Sequence, residues 1–284
     1  MFGLALAGLA GAASADELRL DARSGAPVIE AEINGRPVRL IVDTTMPALA
    51  ALDRQAAARL GLTRLPPFMS AVMELDGERA LRGRLARPQV RFPDGQSSRV
   101  ITALFNTEVE GADGAIGPGA LPYDSIEIVL ADGLAPVRSV VIGLESFDHW
   151  VWPEDLAQEP ARIALDLGRA ETLLARRLTR AFVDRGLLSP AGEVRRAPFR
   201  LGVSMNAQSM SPSVGFSVSG FALAETVCHT DEVLYRVEAE DNAIVVYGGE
   251  SRRAPFLFLG RSALAGCSRV LASRAQRRLT LACE

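Results

Sequence analysis

The sequence predicts a mainly β protein, arranged as two β lobes with one helical segment between them. Three observations support this. Short apolar or alternating runs, punctuated by Gly, Pro, Asn and Asp, recur from Val28 to Ile142. Similar runs resume from Arg195 to the end of the chain. Between them, Ala170–Leu188 (AETLLARRLTRAFVDRGLL) is the longest stretch with helical spacing, and Gly186 and Pro190 lie near its end.

Taken in order, Met1–Ala15 is apolar and rich in small residues, and Ala13-Ser14-Ala15 fits a signal-peptidase site. The expectation is a signal peptide over 1–15 and a periplasmic or secreted protein. The apolar core of this leader is too short to span a bilayer, and no later run approaches ~18 apolar residues, so no membrane span is expected. Val28–Ile33 and Arg36–Val42 read as strands joined by Asn34-Gly35, the strongest hairpin signal in the chain. Leu52–Leu60 reads as a short helix capped by Gly61. Ala71–Glu74, Gln89–Phe92, Val100–Phe105, Ile126–Leu130 and Val137–Ile142 read as further strands, with a Pro-Asp-Gly turn at 93–95. In the C-terminal part, strands are expected at Phe199–Met205, Gly215–Leu223, Val233–Glu238, Ala243–Tyr247, Phe256–Leu259 and Arg278–Ala282. The polar run Ser204–Ser213 reads as a loop. Each half carries a late apolar-apolar-Gly run, Ala115-Ile116-Gly117 and Phe258-Leu259-Gly260. The resulting partition is a leader over 1–15, a β lobe over 16–165, a helical connector over 166–194 and a second β lobe over 195–284.

Composition narrows the chemistry. The chain has 31 basic and 34 acidic residues and a net charge of -3, which argues against a nucleic-acid surface. All its basic residues are Arg, so lysine-dependent phosphate loops and Schiff-base catalysis are excluded. Two histidines, His149 and His229, argue against a multi-histidine metal centre, and neither a metal nor another cofactor is expected. Asp148-His149 lacks a Gly-x-Ser-x-Gly partner, so His149 reads as a packing or binding residue beside Trp150 and Trp152. Of the three cysteines, Cys267 and Cys283 are spaced to form a disulfide that clasps the C-terminus, leaving Cys228 over. Such a loop is worth ~3 kcal/mol in the chain-entropy model. If the leader reading fails, three reduced cysteines are the alternative.

The residue that stands out is Asp43, an acid ending the apolar strand Ile41-Val42 directly after a tight hairpin. It reads either as a catalytic carboxylate on a rigid strand end or as a turn residue capping the next segment. Here Pro27–Leu62 (PVIEAEINGRPVRLIVDTTMPALAALDRQAAARLGL) resembles the opening of retropepsin-like and pepsin-like aspartic peptidases: strand, Asn-Gly hairpin, strand, Asp-Thr-Gly, then Ala-x-x-Leu-Gly-Leu. Asp113-Gly114-Ala115-Ile116-Gly117 with Leu121 is similar to a later segment of that family, so the resemblance spans roughly 27–130.

The resemblance implies a closed β-barrel lobe with Asp43 as the catalytic acid that activates water, and Thr44 orienting its carboxylate through a hydroxyl hydrogen bond. It also implies Thr45, Asp113 and Gly114 on the substrate side. The C-terminal part then reads as a second, degenerate β lobe. Two departures matter. Thr45 stands where the family has Gly, and Val194–Ala224, where a second acid is sought, contains no Asp or Glu. Aspartic peptidases need two carboxylates sharing a proton. Two outcomes follow: Asp43 pairs with Asp43 of a second copy in a homodimeric aspartic endopeptidase, or the protein is an inactive homologue that binds an extended peptide or a protein partner.

Overall fold

The first hairpin forms because Asn34 and Gly35 both adopt left-handed backbone, with φ of 54° and 70°, as a two-residue turn matching strand twist requires. The computed structural model describes residues 17–66, 68–74, 80–199, 201–229, 243–247 and 255–284. The expected leader and the expected strand Val233–Glu238 lie outside them.

In chain order, β1 (Glu17–Asp21) precedes the hairpin of β2 (Val28–Ile33) and β3 (Arg36–Val42). Next come β4 (Ala50–Leu52), α1 (Arg54–Leu60), β5 (Ser70–Glu74), β6 (Ala80–Ala86), β7 (Gln89–Arg91), β8 (Ser97–Arg99), β9 (Thr102–Leu104) and β10 (Gly114–Ile116). A 3-10 turn leads into β11 (Ser125–Val129) and β12 (Arg138–Gly143). The C-terminal half holds β13 (Val151–Leu156), β14 (Glu159–Asp166), β15 (Thr172–Leu174), α2 (Arg176–Asp184), β16 (Leu188–Pro198), β17 (Ser204–Pro212), β18 (Ser217–Val218), β19 (Phe221–Ala222) and β20 (Thr226–His229). It ends with β21 (Ala243–Tyr247), β22 (Phe256–Gly260), β23 (Cys267–Ser273) and β24 (Arg278–Cys283).

The chain is mainly β, and its two large sheets repeat one plan. The first contains the order β5-β6-β9-β4-β10-β3-β2, and the second has β16-β17-β20-β15-β22-β14-β13. The pairings correspond one by one. β10 lies parallel to β3 and antiparallel to β4, just as β22 lies parallel to β14 and antiparallel to β15. β9 runs parallel to β4, and β20 runs parallel to β15. The first sheet is extended by β21 at one edge and by β7 and β8 at the other. A five-stranded sheet, β1-β11-β23-β24-β12, draws strands from both halves, β18 and β19 form a separate pair, and one apolar core runs through the three larger sheets.

This arrangement differs from the expected partition. Among the described residues the sheets are open rather than closed into a barrel. The expected boundary at 165/166 falls inside β14, which pairs with β22 and so belongs to the second sheet. The expected connector is not a continuous helix. Thr172–Leu174 is a fully buried strand between β20 and β22, and α2 covers only Arg176–Asp184, with Leu178 and Phe182 buried. Ser204–Ser213 is not a loop: Met205, Ala207 and Met210 point into the core, making 204–212 a strand. The expected strand over 199–205 is interrupted by a turn in which the Phe199 amide donates to the Val203 carbonyl at 2.7 Å. Cys267 and Cys283 are paired across β23 and β24 as a disulfide, and Cys228 is a buried free thiol whose pKa burial pushes up.

Candidate functional site

Two acids occupy matching positions in the two sheets. Asp43 follows the last residue of β3, and its amide donates to the Ile116 carbonyl of β10 at 3.0 Å. Asp166 ends β14 in register with Gly260 of β22. Each acid opens a loop that folds over a glycine with no room for a side chain. A Cβ on Gly117 would lie 1.9 Å from the Pro47 carbonyl oxygen, and one on Gly260 would lie 2.3 Å from that of Glu171. The two late apolar-apolar-Gly runs are therefore equivalent pieces, each serving as the seat for an acid loop.

Asp43 and Asp166 line one cavity of about 310 Å³. A buried hydrogen bond ties the two acid loops together: the Thr44 hydroxyl donates to the Leu165 carbonyl at 2.6 Å. This corrects the expected role of Thr44. Its hydroxyl has one proton, and that proton reaches across to the other loop rather than to the carboxylate. Thr45 orients Asp43 instead, its amide donating to Oδ1 at 2.9 Å and its hydroxyl to the same oxygen at 2.5 Å. At the other acid, the Gly168 amide donates to Asp166 Oδ1 at 3.2 Å, and Arg169 Nε stands 3.7 Å from Oδ2. Both members of that ion pair are nearly buried, with side-chain exposures of 9% for Arg169 and 12% for Asp166.

The hairpin β16–β17 contributes Arg195, Pro198 and Phe199 to the cavity wall. Its tip crosses to the first sheet, where Leu201 packs in the cluster containing Met46, Leu49 and Ala51. Gly202 takes φ +76° against the Glu108 carbonyl, and a Cβ there would lie 1.8 Å from that oxygen. Arg195 pairs with Glu171, which also lines the cavity. Burial pushes the Glu171 carboxyl upward, but the Arg195 hydrogen bond and the charges of Arg195 and Arg169 outweigh it and leave the pKa below its ordinary value. Three acids therefore face two arginines around one cavity.

The remaining expected site residues lie elsewhere. Asp113 accepts from the Arg39 amide at 2.9 Å and pairs with Arg59, bracing β3 against α1 away from the acid cavity. Gly114 is wedged between strands, where a Cβ would lie 2.1 Å from the Ala51 carbonyl oxygen. Neither lines the acid cavity. Thr45 is buried and acts on Asp43 without lining the cavity. His149 reaches the first acid loop, with Nε2 3.0 Å from the Thr45 carbonyl oxygen. No cluster of three or more His, Cys, Asp or Glu that could hold a metal occurs among the described residues.

Sequence reasoning missed Asp166 and Arg169. The signal was present in Ile163-Ala164-Leu165-Asp166-Leu167-Gly168, an apolar strand ending in Asp-x-Gly, but the expected boundary at 165/166 cuts it in two. No protein-family model matches the chain, and no curated protein matches it.

Proposed function

We propose that the protein is an aspartic-peptidase-like hydrolase whose acid pair, Asp43 and Asp166, comes from a single chain. The observation that supports this is the placement of both carboxylates, from equivalent strand ends, on one cavity. A homodimer is then unnecessary for a second carboxylate. In the reaction, the ionised acid takes a proton from water as the water oxygen bonds to a peptide carbonyl carbon, and the protonated acid gives its proton to the carbonyl oxygen. Transfer of a proton to the nitrogen and cleavage of the C–N bond release an acid and an amine. The substrate class is an extended peptide. The C-terminal disulfide, together with the leader read from the sequence, supports an extracytoplasmic site of action. No helix among the described residues is long and apolar enough to cross a membrane.

A peptide-library cleavage assay over about pH 3 to 7 tests the proposal, because carboxylates titrate in and below that range. Asp43→Asn and Asp166→Asn should each abolish cleavage. Activity retained in either variant, or no cleavage by the folded wild type, overturns it. The second reading, a cleft that holds an extended peptide without cutting it, is favoured by the Arg169 charge beside Asp166 and by the Thr45 donors on Asp43. Under that reading the wild type binds library peptides and leaves them intact.

A further inference from the structure

The β16–β17 hairpin and the two acid loops together close a ring around the cavity. Its floor is the bond between the loops, from the Thr44 hydroxyl to the Leu165 carbonyl at 2.6 Å. One side is the first sheet, from which Ile41, Val42 and Ala115 line the cavity. The other side is the second sheet, whose strands run in order from β14 through β22, β15 and β20 to β17 and β16. The roof is the hairpin, which brings Pro198, Phe199 and Leu201 to the cavity. Two contacts hold this roof down. Near its root, the Pro198 carbonyl accepts from Arg169 Nη2 at 2.6 Å. At its tip, Leu201 is 8% exposed within the apolar cluster of the first sheet, and Gly202 lies against the Glu108 carbonyl. Leu201 holds φ of 46° there, a left-handed backbone that is unfavourable for a leucine.

A closed ring has a topological consequence. A chain with a free end can thread into it, whereas the middle of a long chain or a cyclic peptide cannot enter while the ring stays shut. The cavity, at about 310 Å³, is at the small end of the range for ligand pockets, which suits a chain end. We propose that the ring makes the site selective for peptides with a free end, and that internal segments are admitted only when the tip at Leu201 and Gly202 leaves the first sheet. This rests on the peptide reading above and narrows its substrate class. The ring opens at the tip because unseating Leu201 relieves its backbone strain, which only the seat sustains.

The test is the association rate of dye-labelled library peptides with the full chain, in linear form and cyclised head to tail. Cycles of about 20 residues are used, because a half-ring then spans ~30 Å at ~3.3 Å per residue and can run extended. Rate is the readout rather than affinity, because a ring that opens can close again around a captured cycle. In the wild type, linear forms should associate at least about tenfold faster, since only the open fraction of the protein receives a cycle. Gly202→Ala places a Cβ 1.8 Å from the Glu108 oxygen at φ +76°. It should speed the uptake of cycles by about tenfold or more and change the linear rate less. Gly192→Ala, also at positive φ (+73°) on this hairpin but with nothing within 4 Å, should keep the wild-type ratio. If Gly202→Ala does not fold, Leu201→Ala, which empties the seat, takes its place. Equal rates for linear and cyclic forms in the wild type overturn the proposal and leave the peptide reading standing. A folded tip variant that still excludes cycles also overturns it, because the shape of the cycle is then the obstacle. Association of neither form overturns the peptide reading, and the proposal with it.

Discussion

Replacing Thr44 by Val tests whether the bond between the two acid loops carries load. The substitution keeps the shape and β-branching of the side chain and exchanges the hydroxyl for a methyl group. Thr44 is 1% exposed, so water cannot replace the donor that the Leu165 carbonyl loses. A buried hydrogen bond contributes ~1 kcal/mol net, and an acceptor left without a partner costs ~1–3 kcal/mol. The expected loss is therefore ~1–3 kcal/mol. At roughly 2–4 °C per kcal/mol for a chain somewhat shorter than this one, the melting temperature should fall by several degrees. Thr44→Ser keeps the hydroxyl and should recover most of the difference. Urea unfolding of the three proteins measures this directly, as a shift in midpoint at unchanged slope. Thr44→Val within ~0.5 kcal/mol of the wild type would refute the reasoning, since surface-like substitutions fall in that band. So would Thr44→Ser falling as far as Thr44→Val, because packing of the methyl group would then be the cause.

The two glycine seats should respond alike. Gly117 and Gly260 have ordinary extended backbone, with φ of -73° and -77°, so alanine is conformationally allowed at both and only the collision counts. Gly117→Ala and Gly260→Ala should each cost ~1–3 kcal/mol or more by thermal unfolding, whereas Gly266→Ala, with nothing within 4 Å, should stay near the wild type. A neutral Gly117→Ala or Gly260→Ala would break the equivalence of the two loops. Reducing the Cys267–Cys283 disulfide, which spans 16 residues of sequence, should lower unfolding stability by ~3 kcal/mol, and a Cys267→Ser/Cys283→Ser double variant should lose the sensitivity to reductant.

The first half of the chain was readable because its turns use residues that advertise them. Val28–Ile33, Arg36–Val42 and the Gly61 cap lie where the sequence places them. The equivalent hairpin in the second half turns through Ala157 and Gln158, which hold φ of 50° and 66° without Asn or Gly. Tertiary pairing of β13 with β14 imposes that conformation, and no local signal marks it. Without that turn β14 is not recognised as the twin of β3, and its terminal Asp166 passes for a connector residue. The helical spacing over 170–188 deepened the error, because Thr172–Leu174 is apolar enough to suit a helix as well as a doubly covered strand.

The two late apolar-apolar-Gly runs are visible in the sequence, but their role is not. Their function is a backbone close approach, which becomes visible only when Pro47 and Glu171 arrive from the loops they support. The same limit applies to Thr44 and Thr45. The sequence identifies hydroxyls beside an acid, but only the fold decides which one faces the carboxylate and which faces the other loop. Each glycine run nevertheless leads to its acid, because β10 and β22 each have one parallel neighbour, β3 or β14, and that neighbour runs into Asp43 or Asp166.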